Sequence, residues 1–398
     1  MNRNDFDMLN NDIIYFDNGA TTLKPKCVVN EVIDYYNKYT ANAHRGDYDI
    51  SAIVDRKYEE VRDKVKDFIK ASRRDEIIYT KGTTESINTI VFGYMAKNLN
   101  SGDEVLITKS EHASNVLPWL ELAKQKGIII KFIPLDDNHE ITIDNLNSVI
   151  TSRTKVISIA HITNVIGDVR PIEEIGKICK ERDILFVVDA AQSIGHMAID
   201  VNKYNISFLA FSAHKMLGPT GIGVLFGKYD LLNKMIPLEY GGGMNSYFES
   251  SGELEYKPLP ERLEAGTQNI AGVLGMGAAI DYLQNIGLEN IHKHELELKE
   301  YALNKLKDIP NIKIYNANSN SGIVIFNIDK IFSQDTAVFL NHFGICVRAG
   351  NHCAKIVKDE INVTNTCRAS FYLYNTKEEI DKLVDALNSQ DRIFEIIL

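Results

Sequence analysis

The sequence lacks the marks of several protein classes. No stretch approaches about 18 uninterrupted apolar residues. The N-terminus, MNRNDFDMLNNDIIYFDNG, has neither an apolar signal-type core nor a small-residue cleavage site. The expectation is a cytoplasmic, non-membrane protein. Five cysteines, Cys27, Cys179, Cys346, Cys353 and Cys367, form no CxxC pair and no His/Cys cluster at zinc spacing. That excludes a disulfide framework and gives no metal site. Basic residues are in deficit, 44 Lys and Arg against 54 Asp and Glu for a net charge of −10. Such a balance disfavours nucleic-acid and anionic-membrane partners but leaves room for a local basic pocket. Internal repeats and low-complexity linkers are also missing, so the ligands expected are small molecules.

What is present is an ordinary globular composition, 44% apolar and 25% charged over 398 residues, long enough for one large and one smaller domain. From Glu76 to Gly227 the runs EIIYT, EVLIT, GIIIKFIPL, KVISIAH, ILFVVDA, SFLAFS and GIGVLFG alternate with amphipathic stretches. This predicts an α/β fold built on a mostly parallel seven-stranded sheet. ILFVV is apolar at consecutive positions, as a strand covered on both faces must be. Ahead of it, Asp55 to Lys70 puts Tyr58, Val61, Val65, Phe68 and Ile69 on one helical face, with Glu, Arg and Lys elsewhere, and reads as core packing. From Ala271 to Asp308 a long helical stretch bridges into a smaller α+β domain with strand-like GIVIFNI and GICVRA. Its closing helix starts at a capping box of Thr376 and Glu379. The expected boundaries are 17–272 and 273–398, with residues 1–16 packing near the smaller domain.

The window FLAFSAHKMLGPTGIG delivers Ser212, His214 and Lys215 to the carboxyl end of a strand, where parallel sheets bind ligands. An arbitrary lysine there is usually solvated, but Asp189 ends the strand ILFVV one βα unit earlier. A buried carboxylate needs a partner. A Schiff-base lysine with an aspartate for a protonated pyridine nitrogen is the pairing that pyridoxal 5′-phosphate (PLP) requires. Taken alone, Asp189 could equally cap a helix. Gly82, Thr83 and Thr84 follow EIIYT and open a helix, suiting the cofactor phosphate, although a plain threonine cap reads the same way. His112, after EVLIT, could lie on the ring face or be an ordinary hydrogen-bonded histidine.

In order along the chain, YFDNGATT, YTKGTTESIN, EHASNVLPW, HITNVIGD, VVDAAQS, FSAHKMLGPTGIG, LEAGTQN, VRAGNHCA and CRASFYLYNT resemble the class V aminotransferase branch of fold-type I PLP enzymes. Within it they are similar to the group II, SUF-type cysteine desulfurases, from about residue 15 to residue 376. The resemblance implies that Lys215 holds PLP as a Schiff base, Asp189 the ring nitrogen and Gln192 the ring hydroxyl, with His112 stacked on the ring. It gives the phosphate to Thr83, Thr84, Ser212 and His214, and sends Thr267 to a neighbouring subunit's site, hence a homodimer. Asn164, Arg348 and Arg368 would face the substrate, Arg368 clamping its α-carboxylate.

Cys353 decides among activities. Arg348, His352 and Lys355 flank it in its loop, and nearby positive charge favours the nucleophilic thiolate. In the family, the cysteine of this short pattern accepts sulfur. Cys27, Cys179 and Cys346 read as small buried cysteines, and Cys367 as structural. The expected reaction converts L-cysteine to L-alanine and leaves a persulfide on Cys353. A SufE-like or SufU-like acceptor would then take the sulfur for iron–sulfur cluster assembly. Alternatives on the same residues are a selenocysteine lyase acting on L-selenocysteine, an aminotransferase, and a PLP-bound scaffold for a sulfur acceptor. Two departures stand out. Asn351 replaces the first of two histidines common before the cysteine, and Asp47 and Tyr48 replace Ile-His after HRG. Both are expected to alter acceptor choice or channel polarity and to leave the chemistry in place.

Overall fold

In the computed structural model, which describes residues 2–397, all seven runs form strands of one sheet. They are β1 Ile77–Thr80, β2 Glu104–Ile107, β3 Ile129–Phe132, β4 Thr154–Ala160, β5 Leu185–Asp189, β6 Phe208–Ser212 and β7 Gly223–Gly227. Their order across the sheet is β1-β7-β6-β5-β4-β2-β3. Only β7 runs against the others, pairing antiparallel with β1 and β6. Along β5, Phe186 and Val188 enter one apolar core and Val187 the other. Burial on both faces is why the run is apolar without alternation. The parallel strands end on a common edge, which carries Ala160, Asp189 and Ser212.

A second, antiparallel sheet holds β8 Ile312–Ile314, β9 Ile323–Ile328, β10 Arg348–Gly350 and β11 Thr366–Ser370, in the order β8-β9-β11-β10. GICVRA is therefore two strands. Ile345–Cys346 pairs in parallel with Ile14–Tyr15, and β10 pairs with β11. The N-terminal segment is tied on through Arg3 to Glu379 (2.8 Å) and Phe6 against Tyr374. The capping box at Thr376 and Glu379 is present. The bridging stretch is two helices, Ile270–Ile286 and Leu288–Leu306, broken at Gly287, whose φ of 86° no helix accommodates.

The amphipathic helix spans Asp49–Phe68 and buries Val54, Tyr58, Val61, Val65 and Phe68, but it also buries Arg62. Arg62 Nη1 lies 2.7 Å from Glu264 Oε1, and that same oxygen accepts the Tyr79 backbone N–H at 2.7 Å. The pair ties the helix to β1 and to the loop that carries Thr267. Removing one partner strands the other charge, so Arg62→Ala is expected to lower stability by about 3–5 kcal/mol in urea unfolding. A change below about 1 kcal/mol would show the pair to be dispensable.

Cys179 and Cys367 are buried, and burial pushes both thiols up to about 12. Cys27 is exposed and Cys346 is half-buried. Cys27 lies near the start of the helix Lys26–Lys38, outside its buried stripe, so reading it as a small core residue does not hold. No helix among the described residues is long and apolar enough to cross a membrane, and no group of three or more His, Cys, Asp or Glu side chains among them could hold a metal ion.

Candidate active site

A cleft of about 200 Å³ opens at the carboxyl edge of the large sheet, lined by Thr83, Thr84, His112, Asn164, Asp189, Gln192, Ser212, His214, Lys215, Arg348, Cys353 and Arg368. Twelve of the thirteen residues singled out from sequence thus meet in one place. The thirteenth, Thr267, does not. It lines a separate cleft of about 450 Å³ with Lys81, Glu239 and Asn269, where its Oγ1 accepts a bond from Asn42 Nδ2 (3.4 Å).

β5 delivers Asp189 into the floor of the cleft. One carboxylate oxygen accepts the Ala191 N–H at 2.9 Å, and among the described residues no cation lies within ion-pair distance of either oxygen. Burial raises its pKa, partly opposed by the Lys215 charge. β6 ends at Ser212 and passes into a single 3-10 turn, Ala213–Lys215. Among the described residues the Lys215 amine has no hydrogen-bond acceptor, and burial brings it down to about 8, against the pull of Asp189. A half-buried amine and a buried carboxylate left without close partners are costly for the fold, which marks a place kept for a ligand.

Hydroxyls gather on one wall. Thr83 donates its backbone N–H to Ser212 Oγ (2.8 Å), and the two hydroxyls lie 2.8 Å apart. Thr84 Oγ1 meets Ser114 Oγ at 2.7 Å. Ser114 in turn donates its backbone N–H to His112 Nδ1 (3.1 Å). Burial and the neighbouring Lys215 push His112 down to about 4, so its ring is neutral near pH 7. Burial does the same to His214. The turn bearing His112 is anchored by Glu111, whose carboxylate accepts bonds from Thr108 Oγ1 (2.7 Å), Asn115 Nδ2 (2.9 Å) and the Ala160 N–H (2.7 Å).

The second sheet supplies the opposite wall. Arg348 and Arg368 are direct register partners on β10 and β11, an arrangement that repels unless an anion lies between them. Asp17 meets Arg368 Nη2 at 3.1 Å, and the Asn164 carbonyl accepts from Nη1 at 2.7 Å. Its Nε, buried, has no partner among the described residues, and neither does Asn164 Oδ1. The guanidinium lies so close over Gly19 that a Cβ there would meet Arg368 Cζ at 2.9 Å. Cys353 is exposed, with its Sγ 3.7 Å from Arg348 Nη2. His352, counted from sequence among the positive neighbours, is buried with Nε2 3.0 Å from Thr366 Oγ1. Burial and Arg368 push it down to about 3, so it is neutral and Arg348 is the cation in contact with the thiol.

Asp17, Gly19, Glu111 and Ser114 were not assigned roles from sequence. Each sits within a quoted motif, YFDNGATT or EHASNVLPW, but acts through contacts made across the chain. The donor set suits a phosphorylated pyridine aldehyde: an unpaired amine, an unpaired carboxylate, a wall of hydroxyls and a neutral imidazole. It also suits an amino acid whose carboxylate would take the free face of Arg368.

Residues 14–383 match the model of the aminotransferase class-V family. A protein of Halalkalibacterium halodurans described as a probable cysteine desulfurase is 44% identical over 382 residues, spanning 96% of this chain and 94% of its own. One from Staphylococcus aureus with the same description is 41% identical over 384 residues, spanning 96% and 93%. Among solved structures, the apo cysteine desulfurase of Thermococcus onnurineus NA1 superposes with a TM-score of 0.94 at 38% identity, covering 98% of this chain and 96% of that one. The cysteine desulfurase CsdA of Escherichia coli, in an S-sulfonic acid form, gives 0.92 at 34% identity over 100% and 98%.

Proposed function

Because the chain belongs to the aminotransferase class-V family, we propose that it is a PLP-dependent cysteine desulfurase, converting L-cysteine to L-alanine with transfer of the sulfur to Cys353. Its architecture is that of the fold-type I PLP transferases, and PLP is its cofactor. The observation that carries the desulfurase reading is that an exposed thiol, Cys353, shares one cleft with a free amine, Lys215, and two facing guanidinium groups. An aminotransferase would have no use for that thiol.

Thr83, Thr84, Ser212 and His214 would hold the phosphate, Asp189 the ring nitrogen, Gln192 the ring hydroxyl and His112 the ring face. When bound, PLP supplies an aldehyde that takes the substrate amino group and a protonated ring that accepts the electron pair released at Cα. Asp189 keeps that ring protonated. Arg368 turns its unpaired Nε and its fork to the substrate α-carboxylate, which fixes the Cα–H bond toward Lys215. With a pKa of about 8, the Lys215 amine can hold and return a proton at Cα near neutral pH. Cys353 attacks the substrate sulfur as a thiolate, Arg348 facing the charge. The C–S bond breaks, an S–S bond forms, and the balanced outcome is one alanine and one Cys353 persulfide. His112, neutral and within the cleft, is placed to carry a proton to the departing carbon skeleton.

The short loop from Arg348 to Cys353 supports the group II, SUF-type subclass, with a SufE-like or SufU-like acceptor taking the persulfide sulfur toward cluster assembly in the cytoplasm. Thr267 lies outside its own chain's cleft, which supports a homodimer in which it serves the neighbouring site. The test is to give the PLP-loaded protein L-cysteine with reductant. Alanine and sulfide are expected in equal amounts. A 2-oxo acid that keeps its sulfur, 3-mercaptopyruvate, formed without sulfide would overturn the reading in favour of an aminotransferase.

A further inference from the structure

The loop that presents Cys353 holds two successive residues in the left-handed region, His352 at φ 51° and Cys353 at φ 59°. Residues with a Cβ disfavour that region, so the pair persists only where other contacts fix it. Three of those contacts come from distant parts of the chain. Asn164 Nδ2 donates to the His352 carbonyl (2.7 Å), the His352 ring meets Thr366, and the Ala113 N–H donates to the Cys353 carbonyl (2.8 Å). The fourth is local. The Cys353 N–H donates to Asn351 Oδ1 at 3.2 Å, while the Asn351 carbonyl accepts the Ala354 N–H at 2.9 Å.

We propose that Asn351 is a positioning residue for Cys353, its side-chain oxygen closing the left-handed turn that keeps the thiol against Arg348. The inference rests on reading Cys353 as the sulfur-accepting nucleophile. What the position requires is an acceptor two residues ahead of the thiol, not an amide as such. The same chain makes the same bond with a histidine, where the Ser114 N–H donates to His112 Nδ1 at 3.1 Å. Without an acceptor at 351, the Cys353 N–H is left to solvent and the turn relaxes toward ordinary φ values. That rotation carries Sγ away from its 3.7 Å contact with Arg348. Cys353 is already exposed, so loosening the loop gives a reagent no new access to offset the loss.

The experiment compares wild type, Asn351→Ala and Asn351→His as full-length, PLP-loaded protein. One readout is the rate of Cys353 alkylation by iodoacetamide, followed on its own peptide by mass spectrometry. The other is kcat and KM for L-cysteine. Asn351→Ala is expected to slow alkylation and lower kcat by about three- to tenfold, the scale of one hydrogen bond, with KM unchanged. Asn351→His is expected to restore both to within about twofold of wild type. Wild-type alkylation in Asn351→Ala, or an Asn351→His as impaired as Asn351→Ala, would overturn the proposal. Slowed alkylation, restored by histidine, in a protein that releases no sulfide from L-cysteine would uphold the role of Asn351 and overturn the desulfurase reading alone.

Discussion

Cys353→Ala is expected to bind PLP as the wild type does and to release sulfide from L-cysteine at least roughly a thousandfold more slowly, the scale on which an enzyme loses its nucleophile. The side chain is exposed and, among the described residues, its sole polar side-chain contact is the 3.7 Å approach of Arg348, so its truncation leaves the core intact. The loop keeps its other ties, since Asn164, Ala113 and Thr366 hold His352 and the Cys353 carbonyl rather than the thiol. Cofactor spectrum and unfolding midpoint should therefore match the wild type while sulfide and alanine production fall together. Turnover at the wild-type rate in this variant would remove Cys353 from the mechanism. Alanine formation that continues without sulfide on the enzyme would do the same.

Lys215→Ala is expected to abolish turnover, again by roughly a thousandfold or more, with little effect on the fold. The side chain is half-buried and the amine is bonded to nothing among the described residues, and desolvation has already drawn it down to about 8. Were it the structural partner of Asp189, its loss would cost about 3–5 kcal/mol, as breaking a buried ion pair does. No such pair lies within 4.0 Å, so the cofactor-free variant is expected to unfold within about 1 kcal/mol of wild type. Loss of activity without loss of stability is the signature of a group kept for chemistry. A large drop in stability would reassign Lys215 to the fold.

Strands β1 to β7 were legible as short β-branched runs, which burial on both faces writes into the sequence for all but the half-exposed edge strand β3, and the site because parallel strands bring their last residues to one edge. Asp189, Ser212 and Lys215 needed no knowledge of distant contacts. Features set by distant partners were not legible. Arg62 looks like any helix-surface arginine until Glu264 arrives from far along the chain. His352 counts as a basic neighbour of Cys353 by sequence, yet the fold buries it against Thr366 and keeps it neutral. The facing of Arg348 and Arg368 depends on the register of β10 against β11, which no local pattern encodes. Gly287 breaks a stretch whose periodicity runs through it unchanged, since helical spacing records buried faces and not backbone angles. Asn351 stood out only as a difference from related sequences, and its physical role, a hydrogen bond to the Cys353 N–H, needed coordinates.

The account's central claim is that Lys215 is the covalent anchor of the cofactor, and reduction of the PLP-loaded protein with borohydride tests it most directly. Reduction fixes the cofactor to the amine that carries it, and peptide mass spectrometry then locates the label. The account predicts one pyridoxyl group per chain, on Lys215. Lys24 is the informative competitor, because burial also draws its amine down to about 8. Its Nζ, however, is occupied by Thr21 Oγ1 and the His214 carbonyl, each at 3.1 Å. A label on Lys24 or any other lysine, or a protein that takes up no PLP at all, would contradict the account.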